Sequence, residues 1–128
     1  MPAEIPAPRS WTLAEAERVI PEVAYALEVV RDARATIRTR YPALRARMGR
    51  DAGGAGDTGL FLAVRAYRAG LERVERLGVV VRDPDAGLVD FLGERGGLPV
   101  WLSWRLGEGT RIAWWHPLDQ GPAARLPL

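Results

Sequence analysis

The chain has no cysteine, no lysine and no asparagine, and a single histidine, His116. Without thiols there are no disulfides, no thiolate nucleophile and no thiolate metal ligands, so any metal would depend on His116 and carboxylates alone. Without lysine there is neither Schiff-base chemistry nor a phosphate loop of the kind that sets a lysine behind a glycine-rich turn. Long apolar runs are missing too: no stretch approaches the ~20 apolar residues that a membrane helix requires. The opening Met1-Pro2-Ala3-Glu4 has neither the basic nor the apolar segment of a secretion signal. These absences predict a cytoplasmic protein that does not enter a membrane, and they lead us to expect no metal and no cofactor.

What is present fits one globular domain spanning 1–128. Of 128 residues, 48% are hydrophobic and 27% charged, too apolar for a disordered chain and too short for two domains. A domain of this size buries roughly two thirds of the surface its unfolded chain exposes, so a large extra apolar face is best covered by another chain. All 18 cationic side chains are arginine and the net charge is +2. The charge is uneven: residues 1–30 carry two Arg and five Glu, whereas residues 31–51 carry seven Arg and two Asp.

The first helix is announced by Thr12 and Glu15, spaced so that hydroxyl and carboxylate each satisfy a free backbone amide. Apolar residues then follow an alternating three-four spacing through Leu13, Ala16, Ile20, Val23, Leu27, Val30, Ile37, Tyr41 and Leu44, interrupted only by Arg34, a coiled-coil-like seam. Pro21 should kink this helix and Pro42 should end it, which predicts helix over about 12–40 followed by a short turn. The glycines of Gly49–Gly56 make a loop. Asp57 or Thr58 caps a second helix with the seam Leu60, Val64, Tyr67, Leu71 and Val74, closed by Gly78. An antiparallel helical hairpin over 12–78 results. The arginines Arg31, Arg34, Arg38, Arg40, Arg45, Arg47 and Arg50 could meet phosphates, but no aromatic residues interleave them for base stacking. Arginines at a helix C-terminal end also answer the helix dipole, so nucleic acid is not an expected partner.

Residues 79–128 carry the strands and tail. Val79-Val80-Val81, Leu88–Glu94, Pro99–Leu106 and Thr110–His116 are separated by Asp83–Gly87, Gly96-Gly97 and Gly107-Glu108-Gly109, which predicts an antiparallel meander. The fold class is therefore α+β, a kinked helical hairpin packed on a small antiparallel sheet. Alternation puts Val100, Leu102, Trp104 and Leu106 on one face of the middle strand and Trp101, Ser103 and Arg105 on the other. On the last strand Ile112, Trp114 and His116 oppose Arg111, Ala113 and Trp115. Trp101 and Trp115 are expected on the face turned away from the helices. With Trp104 and Trp114 they form a candidate surface for a ligand or a partner.

The run Gly87-Leu88-Val89-Asp90-Phe91, the segment Trp104-Arg105-Leu106-Gly107-Glu108, and Trp114-Trp115-His116 with Asp119, Gly121, Arg125 and Pro127 resemble an uncharacterised bacterial family, domain of unknown function 2203. The Thr12-to-Pro21 opening resembles its N-terminus, so the likeness covers nearly the whole chain. It implies a shared fold and brings no established activity. The chain departs from the family's pattern at Ser103, where many relatives carry Cys, at Leu92, where Pro is common, and at Ala123-Ala124.

The candidate site centres on His116, Asp119 and Glu108, with Asp90 and Arg105. His116 could pair with a carboxylate or bind a metal weakly, yet neither HExxH nor any paired-histidine spacing is present. A packed structural histidine bonded to Asp119 or to backbone is the plainer expectation. Asp90 is expected to pair with Arg105 across the sheet, and Glu108 between two glycines to make a turn. Ser103 lacks the sharp glycine-flanked elbow of a nucleophile. These residues predict a binding or assembly module that is homo-oligomeric or takes a protein partner; the alternative is a small enzyme or metal-binding protein around His116, Asp119 and Glu108.

Overall fold

The computed structural model describes residues 9–50 and 56–128. Helix α1 runs over Leu13–Arg50 and helix α2 over Thr58–Arg76. Five strands follow: β1 (Val80–Asp83), β2 (Leu88–Arg95), β3 (Leu98–Arg105), β4 (Trp114–Pro117) and β5 (Leu126–Pro127), with a 3-10 turn at Pro122–Ala124. They form one antiparallel sheet in sequence order. The fold is α+β. No helix among the described residues is long and apolar enough to cross a membrane.

Both helices start as their sequences dictate. The Thr12 amide donates to the Glu15 carboxylate at 2.9 Å and the Glu15 amide donates to the Thr12 hydroxyl at 3.1 Å, a closed capping box. The Thr12 backbone amide and then its hydroxyl, the two largest influences, hold the Glu15 carboxyl below its ordinary range. Asp57 caps α2 through the Leu60 amide at 3.0 Å, which likewise lowers its own carboxyl.

Pro42 does not end α1, which continues unbroken through both prolines to Arg50. Pro21 and Pro42 are exposed, so the carbonyls they leave without an amide partner can take water. Beyond Pro42 the helix continues through alanine, leucine, arginine and methionine, all good helix formers. Ala16, Ile20, Val23, Leu27 and Val30 of the seam are buried, with Leu60 and Val74 of α2. The helices approach closely at Gly70, where a Cβ would lie 2.6 Å from Val30 Cγ2 and 3.0 Å from the Ala26 carbonyl.

The hairpin packs on one face of the sheet through a core that includes Ile20, Val23, Leu27, Val74, Val89, Phe91, Leu102 and Trp104. Trp11 anchors the start of α1: its amide donates to the Leu92 carbonyl at 2.7 Å and its ring meets Phe91 edge-on at 5.4 Å. β2 and β3 join through Gly96 and Gly97, both at positive φ, as a two-residue hairpin turn requires. The last hairpin differs from expectation. β4 begins at Trp114, not Thr110, because the Ile112 amide is taken by the Glu17 carboxylate of α1 at 2.8 Å and the Trp104 indole donates to the Gly109 carbonyl at 3.1 Å. Residues 106–113 are thereby held as a loop. The short edge strand β5 was not anticipated; Trp114 pairs with Pro127 and Trp115 with Leu126.

Candidate functional site

The face of the sheet turned away from the helices holds the chemistry. Register places Asp90 of β2 opposite Ser103 of β3, and Ser103 opposite Trp114 of β4; one pair further along, Leu92, Trp101 and His116 stand in a row. Asp90, Ser103 and His116 share this face and are completely buried. His116 and Asp90 lie two strands apart, so their side chains meet above β3, where a residue as small as Ser103 leaves room.

His116 Nε2 is hydrogen-bonded to Asp90 Oδ2 at 2.8 Å, and Nδ1–H donates to the Pro117 carbonyl, which can only accept, at 3.0 Å. Arg82 of β1 donates from Nε to the same Asp90 oxygen at 2.7 Å. The Asp90 partners are therefore Arg82 and His116, not Arg105, which register sets opposite Leu88. Arg82, Asp90 and His116 link β1, β2 and β4 through one carboxylate. The Asp90–His116 pair at its centre is fully buried and costly to break, because removing one member strands the other away from water, whereas the Arg82 side chain is one-third exposed. Asp90 Oδ1 and Ser103 Oγ have no hydrogen-bond partner among the described residues.

Glu108 joins a different cluster. Its carboxylate accepts the Arg105 backbone amide at 2.7 Å, which closes the turn, and Arg125 Nη2 at 2.7 Å, which ties down the C-terminal tail. Asp119 is exposed in the turn after β4, and His116 bonds to Asp90 and Pro117 instead of to it. The structure thus brings His116 together with Asp90, and leaves Glu108, Arg105 and Asp119 outside that pair.

The four tryptophans divide between the two faces. Trp104 is buried in the core, and Trp115, opposite Leu102, packs against that same core. Trp115 therefore does not share a face with Trp101, because the late start of β4 fixes its register by Trp101 facing His116. Trp101 and Trp114 remain on the outer face, half-buried. Each partly exposed indole lies under a guanidinium: Arg82 is 4.7 Å from the Trp101 ring centre, Arg125 5.1 Å from Trp114 and Arg95 4.7 Å from Trp115. Flat guanidinium groups stack well on indole, and here they cover the aromatic surface from within the chain.

Arg82, Arg125 and Glu17 are the residues that sequence reasoning left without a role. Arg82 was concealed by a register shift between Val81 and Asp83, which turns it toward Asp90. A charged residue at the end of an otherwise apolar strand was the available signal. No group of three or more metal-ligating His, Cys, Asp or Glu residues occurs among the described residues.

The architecture is that of a small α+β protein with a closed polar cluster on a tryptophan-rich sheet. Residues 9–128 match the family of uncharacterized conserved proteins DUF2203, and the chain belongs to it. No curated protein and no solved structure matched the chain.

Proposed function

We propose that the chain is a cytoplasmic, homo-oligomeric assembly module whose working surface is the free end of the helical hairpin. The observation that carries this is the mismatch between the helices. Asp57, at the head of α2, is bonded to Arg40 of α1 at 2.9 Å, so α2 starts beside Arg40 while α1 continues to Arg50. At ~1.5 Å per residue the overhang is about 15 Å long. The seam does not stop with α2, and Tyr41 and Met48 stand 50% and 58% exposed. Phe61 and Leu62 of α2, also largely exposed, belong to the same end.

The alternative of a small enzyme or metal protein needs His116 within reach of a substrate or an ion. Its imidazole is engaged at both nitrogens and shut from solvent, Glu108 is bonded to the Arg105 amide and Arg125, and Asp119 is exposed in the turn after β4. The test is the solution mass of the purified chain at micromolar concentration, with metal content measured on the same sample. A dimer or larger assembly without stoichiometric metal is expected. A monomer carrying one metal per chain, lost in His116→Ala, would replace this proposal with the metal site.

A further inference from the structure

We infer that folding traps a proton on His116: inside the protein its ring is a doubly protonated imidazolium bound to an ionised Asp90, which makes the fold sensitive to mild alkali. This stands apart from the assembly proposal and follows from which atoms can donate. The Pro117 carbonyl only accepts, so the contact at Nδ1 needs a hydrogen on that nitrogen. A ring with hydrogen at Nδ1 alone offers Asp90 a lone pair at Nε2, and an ionised carboxylate has only lone pairs to set against it. At 2.8 Å a proton therefore stands between Nε2 and Asp90 Oδ2.

Arg82 decides which atom holds that proton. Its Nε donates to the same Oδ2 at 2.7 Å, and Oδ1 has no donor among the described residues, so Oδ2 carries both bonds. The hydroxyl oxygen of a protonated carboxyl is a poor acceptor for a charged donor, whereas an ionised oxygen accepts two such donors well. Asp90 is therefore the carboxylate and the proton sits on Nε2. About a third of the Arg82 side chain stays in solvent, which hydrates part of its charge and leaves the carboxylate to answer the wholly buried imidazolium.

The other charges near the pair are engaged elsewhere. Glu94 of β2 and Arg105 of β3 share its face by register and are exposed, and Arg125 of the tail is held by Glu108 and the Ser103 carbonyl. On the helical side Glu17 of α1 is taken by the Ile112 amide. Ser103 of β3 and Trp114 of β4 carry no charge. An unfolded histidine sheds its proton near pH ~6.5. Folded His116 keeps the proton above that, because losing it sets two lone pairs against each other in the interior. The folded state then binds one proton more than the unfolded chain, so this stability is complete below pH ~6.5 and is lost as pH rises, by up to about tenfold in the folding equilibrium constant per pH unit. The chain has no cysteine and no second histidine to titrate in that range.

A single histidine makes the test direct, since nitrogen-15 NMR of the labelled chain shows one pair of imidazole signals. For folded wild type at about pH 7.5, where an unfolded histidine is mostly neutral, both ring nitrogens should carry hydrogen. In Asp90→Asn, which offers the cation no charge, the ring should be neutral at the same pH. Urea unfolding of wild type at about pH 7 and pH 8 should show the folding constant falling several-fold, toward the tenfold limit, and Asp90→Asn should flatten that fall. If Asp90→Asn does not fold, the wild-type spectrum and the wild-type pH dependence decide between them. A lone pair on either ring nitrogen of folded wild type would overturn the inference: at Nε2 it moves the proton to Asp90, and at Nδ1 it removes the bond to Pro117. A wild-type folding constant that is the same at both pH values would overturn it equally.

Discussion

Replacing His116 with alanine should destabilise the fold severely. The ring is wholly buried, so truncation leaves a cavity, and it withdraws the partner of Asp90 Oδ2 and the donor to the Pro117 carbonyl. Asp90 would then rely on Arg82 alone, with Oδ1 already unpartnered. Leaving a buried hydrogen-bond partner unsatisfied costs about 1–3 kcal/mol and the cavity adds to it, a large share of the ~5–15 kcal/mol that holds a domain together. Asp90→Ala should cost a similar amount. The double variant should cost clearly less than the sum, because the second truncation removes a group the first had stranded; coupling of ~1–3 kcal/mol is expected for partners in one network. Urea unfolding followed by tryptophan fluorescence measures all three midpoints. A His116→Ala midpoint within ~0.5 kcal/mol of wild type, or strict additivity in the double variant, would refute the structural role assigned to the pair.

Gly70→Ala should destabilise despite its better helix propensity, since the added methyl meets the Ala26 carbonyl and Val30; overpacking of about 1–3 kcal/mol exceeds the ~1 kcal/mol propensity gain, and a raised thermal midpoint would contradict the close helix contact. Glu108→Ala should loosen the hold on Arg125, which keeps its bond to the Ser103 carbonyl and its stack on Trp114, while the core persists, read as faster proteolytic cleavage after residue 117 with an almost unchanged unfolding midpoint. Acid should fray both helix starts. The Glu15 and Asp57 carboxyls sit below their ordinary values of 4.5 and 3.8, so their caps are intact above those values and fail as pH falls below them. Hydrogen exchange at the Ala16 and Phe61 amides should accelerate there ahead of global unfolding; simultaneous loss of core amides would contradict a local effect. Tyr41→Arg/Met48→Arg should leave the monomer's stability within ~0.5 kcal/mol, because both side chains are largely exposed, yet abolish self-association.

The elements announced by local chemistry were legible in the sequence. Thr12 with Glu15, Asp57 as one of the two caps expected for α2, and Gly96-Gly97 each act over three or four residues and appear in the structure, although α2 buries Ala63 and Gly70 beside Leu60 and Val74 of its expected seam. The prolines misled. A propensity argument ends α1 at Pro42, but the proline is exposed and the helix runs on through good helix formers to Arg50. The errors at the site share one origin: pairing across strands depends on register, and register near β4 is set by Glu17, ninety-five residues earlier in the chain than the Ile112 amide it holds. Once Thr110 was taken as the strand start, Trp115 fell on the wrong face. The Asp90–Arg105 expectation failed for a related reason. Alternation shows which residues share a face and says nothing of which two side chains will meet, and Asp90 reaches past its neighbour Ser103 to a histidine two strands away.

The central claim, that the free end of the hairpin joins copies of this chain, is tested most directly by sedimentation equilibrium of wild type beside Tyr41→Arg/Met48→Arg, from low to high micromolar concentration at fixed salt. Wild type should approach twice the 14.1 kDa of one chain as concentration rises, and the variant should remain at one. Wild type that stays monomeric throughout, or a variant that dimerises as well as wild type, would contradict the account.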